Sequence, residues 1–150
     1  MSDESAALLK LGRVLDLMIE KVGQFHALLS DEQQAIRTLS FGQFSDVTEK
    51  KSELLDSIRD LEQSRRCLTE AAAAGSIRLS KELEQRQQTL IEIIGATDRM
   101  NRLNAALIAQ SLAFLQGSLS LWQCSPASAP LYSQTGSVVG SLSHSVGIKG

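Results

Sequence analysis

Two histidines, two cysteines and one tyrosine are the side chains of this 150-residue chain best suited to acid–base, ligand or nucleophile chemistry, and their spacing scatters them. A di-iron helical bundle uses paired Glu-x-x-His motifs. His26 has Gly23 three residues before it, and His144 supplies no such motif either. Cys67 and Cys124 lie far apart with no CxxC spacing, so they read as two reduced thiols of a cytosolic protein. The chain lacks a GxGxxG turn, a Gly-x-x-x-x-Gly-Lys phosphate loop and a Gly-x-Ser-x-Gly elbow. Its many carboxylates fall on polar helix faces, where solvation explains them. The expectation is a protein that is not an enzyme, with no catalytic residue, metal, cofactor or small-molecule substrate.

Two polar features survive this subtraction. Asn101 and Asn104, within Arg99-Met100-Asn101-Arg102-Leu103-Asn104, are three residues apart and share a helix face. They fit a polar layer that sets helix register, since a seam asparagine fixes alignment at some cost in stability. They also fit a pair of amides that bind a partner's backbone, and the physics favours the first reading. The second feature is Pro130-Leu131-Tyr132-Ser133-Gln134-Thr135-Gly136. A lone tyrosine beside leucine there suits docking on its own bundle or recognition as a short linear peptide.

The elements that must position these residues are helices. Both prolines, Pro126 and Pro130, fall near the C-terminus, so everything before Ser125 is free of the strongest helix breaker. Good helix formers dominate that stretch. From Leu8 the apolar positions step by threes and fours through Leu11, Leu15, Met18, Val22, Phe25 and Leu29, then Ile36 and Leu39, with Glu32 the one polar interruption. The pattern predicts a first helix over about 4–39, capped by Ser2 or Ser5 and ended at Ser40-Phe41-Gly42. A second helix over about 43–73 has the stripe Phe44, Val47, Lys51, Leu54, Ile58, Leu61, Arg65, Leu68 and Ala72. Its two basic members can lay their stems along the seam. Gly75 is expected to stop it and Ser76 to cap the next. The third helix, about 77–123, has the seam Leu79, Leu83, Arg86, Leu90, Ile93, Thr97, Met100, Asn104, Leu107, Ser111, Phe114, Ser118 and Leu121. Ile94, Leu103, Ile108, Leu115, Leu119 and Trp122 widen its apolar face, and Gly95 and Gly117 are its weak points.

The fold class read from this is all-α: an elongated antiparallel three-helix bundle or coiled coil over residues 1–123, with a flexible Ser/Gly-rich C-terminal tail over 124–150. At about 1.5 Å per residue the third helix would reach roughly 70 Å and the second roughly 45 Å. If the helices fold back on one another, the third overshoots the first turn from roughly residue 110 by the same rise. The uncovered end, with Phe114, Leu115, Leu119, Leu121 and Trp122, is then a candidate partner site.

Charge and hydropathy narrow the partners further. A formal net charge of −2 argues against nucleic acid, which calls for a basic face. No run of 18 uninterrupted apolar residues occurs, so no membrane span is expected. The acidic opening MSDESAALLK does not suit a signal peptide.

Three stretches of the chain together resemble the FlgN family of flagellar type III export chaperones. One runs from Ala35-Ile36 to Ile58, with the spacing of Leu39, Phe44, Val47, Lys50, Lys51, Leu54 and Leu55. Another is Asn101-x-x-Asn104-x-x-Leu107-Ile108, and the third is Leu131-Tyr132 with Gly136. The resemblance implies a cytoplasmic protein that binds flagellar hook-associated (hook-filament junction) subunits and docks at the export gate of the flagellar secretion apparatus. Membrane contact is then only through that apparatus. It implies cargo contact in the C-terminal region, which maps onto Asn101, Asn104, Leu107, Ile108, Phe114, Leu115, Leu119 and Trp122, and gate docking at Tyr132. The serine-rich end after Gly136 departs from the family pattern. The rival reading is a structural coiled-coil adaptor or self-assembling homodimer, whose exposed stripe meets its own copy.

Overall fold

The structure is a computed structural model that describes residues 2–124. Three α-helices, α1 (Ser2–Arg37), α2 (Phe41–Ala74) and α3 (Lys81–Cys124), account for nearly all of them, and there is no strand among the described residues. The chain divides into two compact units, Met1–Ile108 and Ala109–Gly150. Of the expected tail, Cys124 is the last residue of α3, and residues 125–150, Tyr132 among them, lie outside the described residues.

In the first unit the seams read from the sequence are the buried faces. Leu11, Leu15, Met18, Val22, Phe25, Leu29 and Glu32 of α1 are all buried. On α3 the buried positions are Leu83, Leu90, Thr97 and Asn104, one every seven residues, the spacing of a helix wound along a partner. Leu11, Leu15, Met18, Val22, Leu83 and Leu90 form the core, with Ile58, Leu61 and Leu68 of α2 packed against it. Burying each such side chain contributes about 2 kcal/mol. Most of the α2 stripe is only half-buried, because it meets its neighbours along one face.

Pairings across the helices give their directions. His26 approaches Thr97, Leu29 and Glu32 both meet Asn104, and Asp16 meets Arg86, so α1 and the first part of α3 run parallel. Glu32 near the end of α1 meets Lys51 near the start of α2, so α2 runs antiparallel to them. Gly12 is buried on the side of α1 that faces α3. A Cβ there would lie 3.1 Å from the Arg86 guanidinium and 3.4 Å from Leu83.

Gly75 stops α2 as its C-cap, as expected, while the other turn positions depart from the sequence expectation. α1 stops at Arg37, and Leu39, rather than Gly42, takes the left-handed conformation (φ 52°). Ser40 N–H donates to the Ala35 carbonyl and Leu39 N–H to that of Ile36, the paired bonds of a Schellman cap. Gly42 lies inside α2. The same device closes α2: Ile77 N–H donates to Ala72 O and Ser76 N–H to Ala73 O, with Ser76 at φ 52° and Gly75 right-handed at φ −79°. Gly75 is thus one residue too early to be the left-handed residue. A Cβ there would lie 3.2 Å from Ile77, the close approach that its size permits. Ser80, not Ser76, opens α3, its Oγ accepting from the Leu83 N–H at 3.3 Å.

Candidate functional site

The polar interruptions of the three seams come together in one layer. Glu32 Oε1 accepts from Lys51 Nζ at 2.9 Å, and Glu32 Oε2 accepts from Asn104 Nδ2, also at 2.9 Å. Asn104 Nδ2 also donates to the Leu29 carbonyl at 2.8 Å, and Lys51 Nζ donates to Asn101 Oδ1 at 3.3 Å. The Lys51 ammonium sits 5.5 Å from the centre of the Phe25 ring, within cation–π range. All three helices are tied at this level. Asn104 is 1% exposed and its Oδ1 is buried with no hydrogen-bond partner among the described residues.

That geometry separates the two asparagines. Asn104, expected among the cargo contacts, is buried and spends its amide donors inside the bundle, the arrangement of a polar layer within a helix seam. Asn101 is exposed, with its carbonyl oxygen turned to Lys51. Beside the layer, Val22, Phe25, Leu55, Ile58 and Ile94 line an apolar groove of about 350 Å³, edged by Lys51, Asp98 and Asn101. Sequence reading missed this groove because Leu55 lies off the α2 seam and Ile94 served there only to widen the α3 face.

The remaining expected contact residues are apolar. Leu107 and Ile108 are half-buried. In the second unit Phe114 is 74% exposed, Leu115 41%, Leu119 62% and Trp122 71%. Leu112 and Leu121 are exposed beside them, and Leu112 was not singled out in the sequence. The helical hydrogen-bonded run passes through Gly95 and Gly117 without interruption.

No charged side chain interrupts this stretch: between Arg102 and Lys149 the chain holds no Asp, Glu, Lys or Arg. Among the described residues, Lys81–Gln123 is the one helix long and apolar enough to cross a membrane by length and composition, with an 18-residue window of mean hydropathy 1.3, none of it buried. The uninterrupted-run criterion misses it because Gln and Ser recur among the leucines. Lateral contact with an apolar partner is what such a surface calls for.

Chemistry has little to work with elsewhere. Among the described residues no group of three or more His, Cys, Asp or Glu can hold a metal ion. His26 Nδ1 lies 3.4 Å from Thr97 Oγ1, inside the bundle. Cys67 is an exposed free thiol. Among the described residues the one strongly shifted carboxyl is Glu62 on α2: hydrogen bonds from Arg65, opposed by partial burial and reinforced by Arg66, hold it down at about 2. Both ion pairs are within one helix, at 2.7 and 2.9 Å.

Neither a curated protein nor a solved structure matches the chain. The family model described as FlgN protein matches residues 8–140, a span that takes in the buried layer, the exposed end of α3 and Tyr132. By that match over most of its length, the chain belongs to the FlgN family of flagellar export chaperones.

Proposed function

We propose that this protein binds hook-associated subunits, those of the hook–filament junction, in the cytoplasm and delivers them to the flagellar type III export apparatus. The exposed apolar surface of α3 carries this reading: Phe114, Leu115, Leu119 and Trp122 offer a helix-length contact with no charge on it. An amphipathic cargo segment, disordered alone, folds against these side chains and hides its own apolar face in doing so. Leu107, Ile108 and the exposed amide of Asn101 extend the contact, while Asn104 acts by holding helix register. Tyr132 is the docking residue for the export gate. The protein works by binding and release, without catalysis.

Co-elution tests the reading. The full chain is mixed with each hook-associated subunit of the same flagellum and run on size exclusion with light scattering. A stable complex lost on removing the end of α3 is expected. If no subunit binds, and the chain alone runs as a firm dimer, the coiled-coil adaptor replaces the chaperone.

A further inference from the structure

We propose that the C-terminal part of α3 receives two helices of one partner, one along each of two apolar seams. The proposal rests on the chaperone reading and says how the cargo is held.

The seams are read from spacing within the second unit. Leu112, Leu115, Leu119 and Trp122 step by three, four and three. Ser111, Phe114, Ser118 and Leu121 repeat the same steps one residue earlier. At ~100° per residue the two rows lie about 100° apart on the helix, and together they cover about half of its circumference. A strict coiled-coil seam uses two positions in seven and a helix facing a bundle core about three. Here four of seven positions are given to the two rows. The opposite side carries Ala109, Ala113, Gln116, Gly117, Ser120 and Gln123, small or uncharged polar residues. One partner helix has room to cover a single row. In the second row Ser111 and Ser118 alternate with Phe114 and Leu121, which lets a helix backbone come close between the two large side chains.

Area and charge choose the occupant. Leu112, Phe114, Leu115, Leu119, Leu121 and Trp122 are all exposed. They present on the order of 700 Å² of apolar surface, above the few hundred Å² that a lone monomer usually shows and close to one side of a standard interface. A two-fold pairing with a second copy would cover the same row on both chains and leave the other row bare. With no charged residue between Arg102 and Lys149, nothing at the flanks sets partner orientation by ion pairing. The fitting partner is a two-helix segment whose contacting faces are apolar and uncharged, and its binding changes little with salt.

Paired substitutions in the full chain separate the rows, with a full-length hook-associated subunit as the probe. L115S/L119S disrupts the first row and F114S/L121S the second, with circular dichroism confirming that helicity is kept. Each pair is expected to weaken binding at least tenfold. Hydrogen exchange on the bound subunit is expected to show each pair deprotecting a different helix of it. If one pair binds within twofold of the unaltered chain, or both pairs deprotect the same helix, the cargo is a single helix and the two-row proposal fails while the chaperone reading stands. A dimer of the unaltered chain that F114S/L121S turns into a monomer gives the second row to another copy and also overturns the proposal. Failure of the unaltered chain to bind any subunit removes the chaperone reading itself and the proposal with it.

Discussion

Glu32 and Asn104, 72 residues apart in the chain, meet at 2.9 Å inside the bundle, carboxylate to amide. The other oxygen of Glu32 takes the Lys51 ammonium, so a carboxylate on α1 fixes one residue from each of the other helices. Glu32 is 4% exposed, which makes each of these partners necessary. A buried ion whose partner is removed costs more than the pair ever contributed.

Single and joint substitutions of this layer therefore have opposite expectations. Asn104→Leu leaves Glu32 and the Leu29 carbonyl short of a donor and is expected to cost about 2 kcal/mol. Glu32→Leu strands the Lys51 ammonium and the Asn104 amide together and is expected to cost about 3 kcal/mol or more. The joint replacement Glu32→Leu, Lys51→Met, Asn104→Leu removes both charges together with the unpartnered Asn104 Oδ1, leaves only the Leu29 carbonyl without its side-chain donor, and is expected to be neutral or stabilising. Urea unfolding of the variants checks the order. A joint variant less stable than the unaltered chain would mean that the layer is a net source of stability.

The two turns offer a gain instead. Leu39 and Ser76 hold the left-handed conformation that glycine adopts freely, at a cost of about 1–2 kcal/mol each. Part of that returns to the unfolded chain, in which glycine has more freedom to lose. Leu39→Gly and Ser76→Gly are each expected to stabilise the fold by about 0.5–1 kcal/mol on this balance. A midpoint of thermal unfolding that falls in either variant would show that the side chain, not the backbone, decides the turn.

The seams of this fold are legible because burial follows one period. Leu11 to Glu32 on α1 and Leu83 to Asn104 on α3 can be named from spacing alone. Near the helix end the period fails: Ala35 is buried, Ile36 is only half-buried and Leu39 is exposed. Glycine spacing places the end of α2 at Gly75 but not the left-handed residues: glycine marks where left-handed backbone is cheap, whereas it falls at Leu39 and Ser76. The polar interruptions Glu32, Lys51 and Asn104 were each visible, but a one-dimensional period does not say which of them face one another. For the candidate site, the widening of the apolar face of α3 gave Leu115, Leu119 and Trp122. Asn104 was drawn to the surface by its neighbour Asn101, three residues away and outside the seam.

Acid should weaken α2 through Glu62. Its carboxyl is held at about 2 by Arg65 and Arg66, below the roughly 4.3 of an unfolded chain. A depressed carboxyl stabilises the fold above the unfolded value. That contribution is lost as pH falls from about 4.3 toward about 2. Glu62 is about one-third exposed, with a side-chain exposure of 32%, so screening by water reduces the contribution to about 1 kcal/mol. Glu62→Gln is expected to remove this part of the pH dependence, seen in urea midpoints at pH 5 and pH 2.5. If the variant loses as much stability over that interval as the unaltered chain, the ion pairs contribute nothing measurable.

The exposed end of α3 and the buried layer should respond differently to single substitutions. Trp122→Ala removes a large exposed aromatic, and Leu115→Asp puts a charge into the uncharged stretch. Either is expected to weaken subunit binding by about 1–3 kcal/mol, the range for a side chain central to an interface. Both residues are exposed in the free protein, so helicity and unfolding midpoint should hold. Asn104→Ala should do the reverse, lowering the midpoint while the folded protein binds with near-normal affinity, because its amide faces Leu29 and Glu32 rather than solvent. Calorimetric titration with the subunit, run well below each variant's melting temperature, separates the two effects. Unchanged affinity in both Trp122→Ala and Leu115→Asp would move the cargo site away from the C-terminal end of α3, leaving the groove beside Phe25 and Ile94 as the next surface to test.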